Sequence, residues 1–491
     1  MMLALSAALL LGTRLAAQND RLQAGIEAFN KGDFKAAVVA LQAATKAAPG
    51  DATAWVWLGT ALLRTNDAAG AAEALTKATS LAPDNFDAWL NLGLAQMNAD
   101  KPEQAEAAYK KAEALDPKSA EAKFGLANAY LEQKKWLSAI AAYREAVTID
   151  PGHAAAHHNL AVALQRNGEE AAALDEYRKA AKLAPQDALY QYHLGLSARS
   201  AGKIEEALAA LEAALKLDAN LPRIHLDFGL ALYAKGRLRQ AAEEFQEAVR
   251  SDPKEFLAYY NLGVVLTRLG KRDDAIKAYQ DGLKIRPSDA LSLNNLACLL
   301  MERGQPADAI ALLAEAIKAS PHYTPARQNL AIAYAQKGDE AKAIQEWQAL
   351  AKADPGNARA REALGAWHLK AGRLDAAYKE YSGVVKIEPK NAGALNNLGL
   401  ICERMGKLDE ALVHLQAALK VNPRYALADN NMGIVYERMG KKAEAIAAYR
   451  AALKADPKYK EARDNLERLQ PPSAGGAAAA PKTSPRDKES G

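Results

Sequence analysis

The residues best suited to metal chemistry in this 491-residue sequence are four histidines: His153, His157, His158 and His193. His153 and His157 stand four apart, a spacing that puts two imidazoles on one helical face, as a zinc site would need. No carboxylate or cysteine completes a ligand set beside them, so packing and surface polarity are the readier explanation and no metal is expected. The strings Gly263–Lys271 (GVVLTRLGK) and Gly399–Lys407 (GLICERMGK) hint at phosphate binding. A phosphate-binding loop needs four residues between its glycines and a Ser or Thr after the lysine, whereas six intervene here. HExxH, paired CxxC and GxSxG are all missing, so no catalytic residue and no cofactor is assigned. What does recur is asparagine: Asn91, Asn159, Asn261, Asn295, Asn329, Asn397 and Asn431, then Asn465. A side-chain amide both donates and accepts hydrogen bonds. A row of them could therefore pair with the backbone of an extended peptide whatever its sequence.

The asparagines are separated by multiples of 34 residues, and so are the prolines from Pro49 to Pro457, with Ala219 standing where one proline is due. A period held without insertion denotes stacked copies of one supersecondary unit. With proline at repeat position 32, thirteen repeats run from 18–51 to 426–459. Alanine abounds and β-branched residues are sparse, which favours helix throughout. Position 20 is always alanine, position 8 always Gly or Ala, and position 24 usually large (Tyr109, Tyr143, Phe245, Trp347, Tyr449). Positions 4, 7, 8 and 11 share one helical face, as do 20, 24 and 27. Each repeat is thus two amphipathic helices whose faces meet. Position 15, glycine in ten repeats and Asn66, Asp100 or Lys134 in the others, is the left-handed residue that ends the first helix. The proline stops the second. Where Ala219 replaces it, Pro222 is expected to open the next helix.

Charge is nearly balanced, 63 basic against 59 acidic side chains, which gives no footprint for nucleic acid or anionic membrane. Cys298 and Cys402 lie three repeats apart, too far for a disulfide, and read as small apolar residues. Residues 1–17 (MMLALSAALLLGTRLAA) read as a secretory signal peptide without a basic start. The alternative is an apolar leader helix docking on the first repeat. The apolar stretch is too short to span a bilayer, so no integral membrane segment is expected in the mature chain. Residues 460–470 continue the first-helix pattern as a capping helix. The stretch 471–491 has too little apolar bulk to pack and reads as a disordered tail.

These positions resemble the tetratricopeptide repeat family: a large residue at 4, Leu at 7, Gly or Ala at 8, Ala at 20, an aromatic at 24, Ala at 27 and Pro at 32. The resemblance covers 18–459 and implies an all-α fold, a right-handed superhelical α-solenoid of antiparallel helix pairs. It also implies a concave groove lined by first-helix positions 2, 5, 6, 9, 12 and 13. The asparagines occupy position 6, similar to the groove of the repeat region of O-linked N-acetylglucosamine transferases. Rungs roughly 8–10 Å apart would meet about every third residue of a strand rising about 3.3 Å per residue. The other reading of these amides is solubility or local hydrogen bonding. Position 5 carries Phe124, His158, Tyr192 and Tyr260 early, then Asn294, Gln328, Asn396 and Asn430. The groove is thus expected to run from aromatic to amide-rich, with Phe124, Tyr192 and Tyr260 as apolar anchors.

The expected function is a non-enzymatic scaffold that binds a protein or peptide partner in this groove, periplasmic or secreted if the leader is cleaved near Ala17 and cytoplasmic otherwise. Two alternatives remain: an assembly factor in polysaccharide export or envelope biogenesis, and a substrate-recruiting subunit of a separate glycosyltransferase.

Overall fold

The computed structural model describes residues 20–470, so the leader and the tail lie outside the described residues. Within them the chain forms only helices and connecting turns. First helices fill positions 1–13, as in Ala52–Arg64 and Phe86–Asn98, and second helices fill positions 17–30, as in Ala68–Leu81 and Pro102–Leu115. The last helix, Lys460–Leu469, continues the first-helix series.

The boundaries have local causes. Position 34 supplies the N-cap: Asp51, Asn85, Ser119, Asp187 and Asn391 accept from backbone N–H groups of the first turn that follows. Position 15 takes positive φ in every repeat, whether glycine or not; Asn66 (61°), Asp100 (57°) and Lys134 (58°) adopt it at the conformational expense of a side chain. Second helices stop at position 30, two residues before the proline. The proline carbonyl then serves a further purpose, because the position-4 side chain of the next repeat donates to it. Trp55 Nε1 reaches Pro49 O at 2.9 Å, Trp89 Nε1 reaches Pro83 O at 2.8 Å, and Arg361 Nε reaches Pro355 O at 2.9 Å. His157 and Gln191 make the same contact at 3.2 and 3.3 Å.

Inside each repeat the position-24 side chain plugs the space that a small residue leaves at position 8. A methyl group added to Gly93 would stand 2.7 Å from the Tyr109 ring, and the equivalent pairs are Gly59 with Leu75, Gly229 with Phe245 and Gly433 with Tyr449. All thirteen position-20 alanines are buried at 5% exposure or less. Helix approach is therefore set by one large and two small residues per repeat.

By contacts, the chain divides between Lys271 and Arg272 into two compact bodies. Each is built the same way: first and second helices alternate, and each helix packs on its sequence neighbours. Within each body several successive first helices also touch one another, such as Ala52–Arg64 with Phe86–Asn98 and Ala392–Arg404 with Ala426–Arg438. No two second helices among the described residues approach as closely. The stack is therefore tighter on the first-helix side, which makes that the inner face of each body.

Repeat 7 departs from expectation. Pro222 does not open its first helix; Pro222 and Arg223 form a turn, and the helix runs only over Ile224–Ala234. Pro222 instead takes the second place of a turn closed by the Ile224 N–H, which donates to Leu221 O at 3.2 Å. The next residue of that turn, Arg223, takes φ 64°, and its guanidinium stands 3.8 Å from Glu255. A surface pocket of about 470 Å3 opens beside it.

Two predictions follow from these geometries. Lys134 bears a Cβ in a left-handed conformation, so Lys134→Gly should stabilise repeat 4 by about 1 kcal/mol, read as slower amide hydrogen exchange over 120–149. Asp429 occupies position 4 in repeat 13, is 7% exposed, and cannot donate to a carbonyl while ionised. Burial raises its pKa. A raised folded-state pKa means that the stabilising, protonated form is full below the ordinary carboxylate range and is lost as pH rises through the folded value. Asp429→Asn should therefore stabilise the last repeat by about 1 kcal/mol at pH 7. The gain should shrink toward pH 4, as followed by denaturation midpoints across that range.

Candidate binding face of the first helices

Position 6 lies where the first helices of adjacent repeats meet, beside position 24 and position 5 of the preceding repeat. Beside two tyrosines the amide engages the ring's hydroxyl: Asn295 Nδ2 donates to the Tyr279 hydroxyl at 3.3 Å, and the Asn397 amide interacts with that of Tyr381. Tyr143 and Asn159 both donate to Asn128 Oδ1, the latter at 3.0 Å. Where position 24 is leucine, the amide turns to position 5 of the preceding repeat. Asn329 Nδ2 donates to Asn294 Oδ1 at 2.8 Å, and Asn431 Nδ2 to Asn396 Oδ1 at 2.9 Å. Asn465 Nδ2 makes the same 35-residue clasp with Asn430 Oδ1 at 3.1 Å although Tyr449 stands at position 24, because that hydroxyl donates to Glu437 instead. Asn261 Nδ2 bonds its own helix at Leu257 O, 2.7 Å away. Asn91 is half-buried in the same row.

The amides form a ladder, and its donors largely join repeat to repeat. Asn294, Asn396 and Asn430 were expected to make the C-terminal groove amide-rich, yet they are buried at 6%, 1% and 4% exposure beneath the position-6 row. Position 6 of the next repeat covers them. Asn431 is itself buried at 8%, while the other position-6 asparagines named above are half-buried.

The early aromatic residues are likewise tied into the scaffold while keeping an exposed edge. Phe124 is half-buried, with its ring 4.6 Å from His153 and 6.0 Å from Tyr143. The Tyr192 hydroxyl donates to Asp227 Oδ2 at 2.6 Å, and Arg199 meets the other oxygen of that carboxylate at 3.3 Å. Burial and the Asp227 carboxylate push the Tyr192 pKa well above the phenol range. Tyr260 is half-buried, its ring 6.3 Å from Phe256. The histidines have separate employments: His153 caps a helix through Nδ1, His157 bridges Glu176 and Pro151 O, and His158 pairs with His193. Among the described residues no three His, Cys, Asp or Glu side chains converge as a metal site. Cys402 is buried and Cys298 half-buried; burial raises both thiol pKa values.

Groove positions 9 and 2 form a further row, whose apolar character was not singled out from the sequence. Position 9 is apolar in most repeats, and Val162, Leu196, Leu230, Val264, Ile332, Leu400 and Ile434 are half-buried there. Leu94 is 44% exposed. At position 2, Leu189, Leu291 and Leu427 are 43%, 45% and 39% exposed. Apolar side chains recurring every 34 residues at positions that face away from the repeat core were the available signal. The inner face therefore alternates an apolar row with an amide row, on helices whose backbones are fully hydrogen-bonded.

Sequence profiles described as tetratricopeptide repeat match residues 22–88, 66–117, 90–154, 226–290 and 363–415. Others of that description match 131–195 and 300–366, 391–458, and 278–311, and one described as TPR repeat matches 197–236. No curated protein matches the chain. Among solved structures, a chain of the APC/C hetero-tetramer Cut9-Hcn1 is 15% identical, with 92% of this chain and 96% of that one covered and a TM-score of 0.37. A MamA protein is 26% identical over 35% of this chain and 94% of its own, with a TM-score of 0.33. The pilF protein of Pseudomonas aeruginosa is 24% identical over 42% and 95%, with a TM-score of 0.37. The profiles tile the periodic helix pairs from one end to the other, and the chain belongs to the tetratricopeptide repeat family.

Proposed function

We propose that this protein is a non-enzymatic scaffold that holds segments of partner proteins against the inner, first-helix face of its repeats, acting in the periplasm or outside the cell once residues 1–17 are removed. The half-exposed apolar row at position 9, beside the amide row at position 6, supports this reading. Apolar side chains held open on rigid helices supply binding energy without ordering cost to the scaffold. The amides beside them retain oxygen lone pairs for a partner's N–H groups, because an amide oxygen accepts two bonds. Tetratricopeptide repeats generally mediate protein interactions, and the repeats fill the described residues, leaving room there for no separate catalytic domain.

A photo-crosslinking amino acid placed at Leu94, Val264, Ile332 or Leu400 should capture partner segments. The same group at Val39, Leu137 or Val413, exposed on second helices, should capture none. Crosslinks confined to the second helices would overturn the placement. Leu94→Asp and Leu400→Asp together should lower partner affinity at least 10-fold with little change in unfolding midpoint. An N-terminus that begins at Met1 in the purified native protein would remove export from the proposal.

A further inference from the structure

Repeats 5 and 6 replace the amide clasp with two imidazoles. His158 at position 5 and His193 at position 6 stand Nε2 to Nδ1 at 2.6 Å, with ring planes 11° apart. The proton between them can be assigned from the chain of bonds leading in. Asn159 Nδ2 donates to Asn128 Oδ1 at 3.0 Å, which turns Asn159 Oδ1 toward His158 Nδ1 at 3.1 Å. An amide oxygen only accepts, so His158 carries its proton on Nδ1. Its Nε2 is then an acceptor, and the proton in the short contact belongs to His193 Nδ1. This leaves His193 Nε2 with a bare lone pair. Burial lowers the pKa of both rings, that of His193 to about 4, so the pair is neutral at pH 7.

His193 lines a pocket of about 440 Å3 on the first-helix side, with Val162 and Leu196 from position 9 as apolar walls. Tyr177 and Gln165 also line it, joined by a bond from the Tyr177 hydroxyl to Gln165 Oε1 at 3.2 Å. Arg166, at its edge, is exposed and forms no ion pair among the described residues. The volume falls in the range of small-ligand clefts, about 300–1,000 Å3. An acceptor nitrogen between apolar walls calls for an aromatic side chain that ends in a donor, and the guanidinium calls for an anion beside it.

We propose that this pocket receives a partner's tyrosine, its ring between Val162 and Leu196 and its hydroxyl donating to His193 Nε2, with the carboxylate of an adjacent acidic residue on Arg166. The inference rests on the inner-face reading above and specifies what one part of that face selects.

Fluorescence anisotropy with a labelled Gly/Ser peptide carrying a central Tyr-Asp pair tests it on the full chain. The Tyr-Asp peptide should bind about 10-fold tighter than its Phe-Asp counterpart, and a few-fold tighter than Tyr-Asn. His193→Asn keeps a clasp donor for His158, as Asn329 does for Asn294, and should erase the Tyr/Phe difference. Arg166→Gln should erase only the Asp/Asn difference. Nitrogen-15 spectra of the free protein should place the His193 proton on Nδ1; a proton on Nε2 overturns the pocket chemistry. Equal binding of Tyr-Asp and Phe-Asp, or none at millimolar peptide, also overturns it. The broader scaffold reading would then still stand or fall by its crosslinking pattern.

Discussion

The side chain at position 24 is wedged between two first helices, and most other features of the chain accommodate it. Its own repeat must present glycine or alanine at position 8, because a methyl at Gly93 would lie inside van der Waals contact of Tyr109. Its neighbour must yield at position 6, and there the wedged side chain is one of the groups an amide can meet. Tyr109 faces glycine at 125, whereas Tyr279 and Tyr381 offer hydroxyls to asparagines. Leucine at 313 and 415 leaves Asn329 and Asn431 to find partners at position 5 of the preceding repeat. Close packing at one residue thus propagates into the polar row beside it.

This coupling bears on how the inner face can bind. Amides that clasp adjacent repeats hold the first helices at a fixed spacing, so the face is organised before any partner arrives. Rigid elements with satisfied backbones lose little entropy on binding, and the apolar row at position 9 can then contribute through contact alone. The polar row adds orientation more than affinity, since Asn159, Asn295, Asn329, Asn431 and Asn465 already engage a donor within the scaffold. The imidazole pair at 158 and 193 keeps the same clasp but trades an amide for an aromatic acceptor, which changes what that one rung can recognise.

Much of the architecture was legible in the residues. Position 15 is left-handed in every repeat because a helix that must turn back within three residues needs that conformation, and Asn66, Asp100 and Lys134 comply. The two small positions and one large position announced the helix contact correctly. Pro222 misled because proline suits a tight turn as well as a helix start: it sits in the turn that the Ile224 N–H closes onto Leu221 O, and Arg223 takes positive φ there. The position-4 donors to the proline carbonyl were hidden, since Trp, His, Gln and Arg share no propensity, only a reach.

Local spacing and steric size, which a single repeat displays in full, were enough to read the repeat, the helix pairing and the family from the residues. Which asparagines are covered, which thiol is half-open and which imidazole nitrogen is free emerge only once the repeats stack. Those outcomes depend on residues 16, 31 or 35 positions away that become neighbours when repeats stack. The period marks the rung, but the repeats on either side decide how much of it a partner can reach.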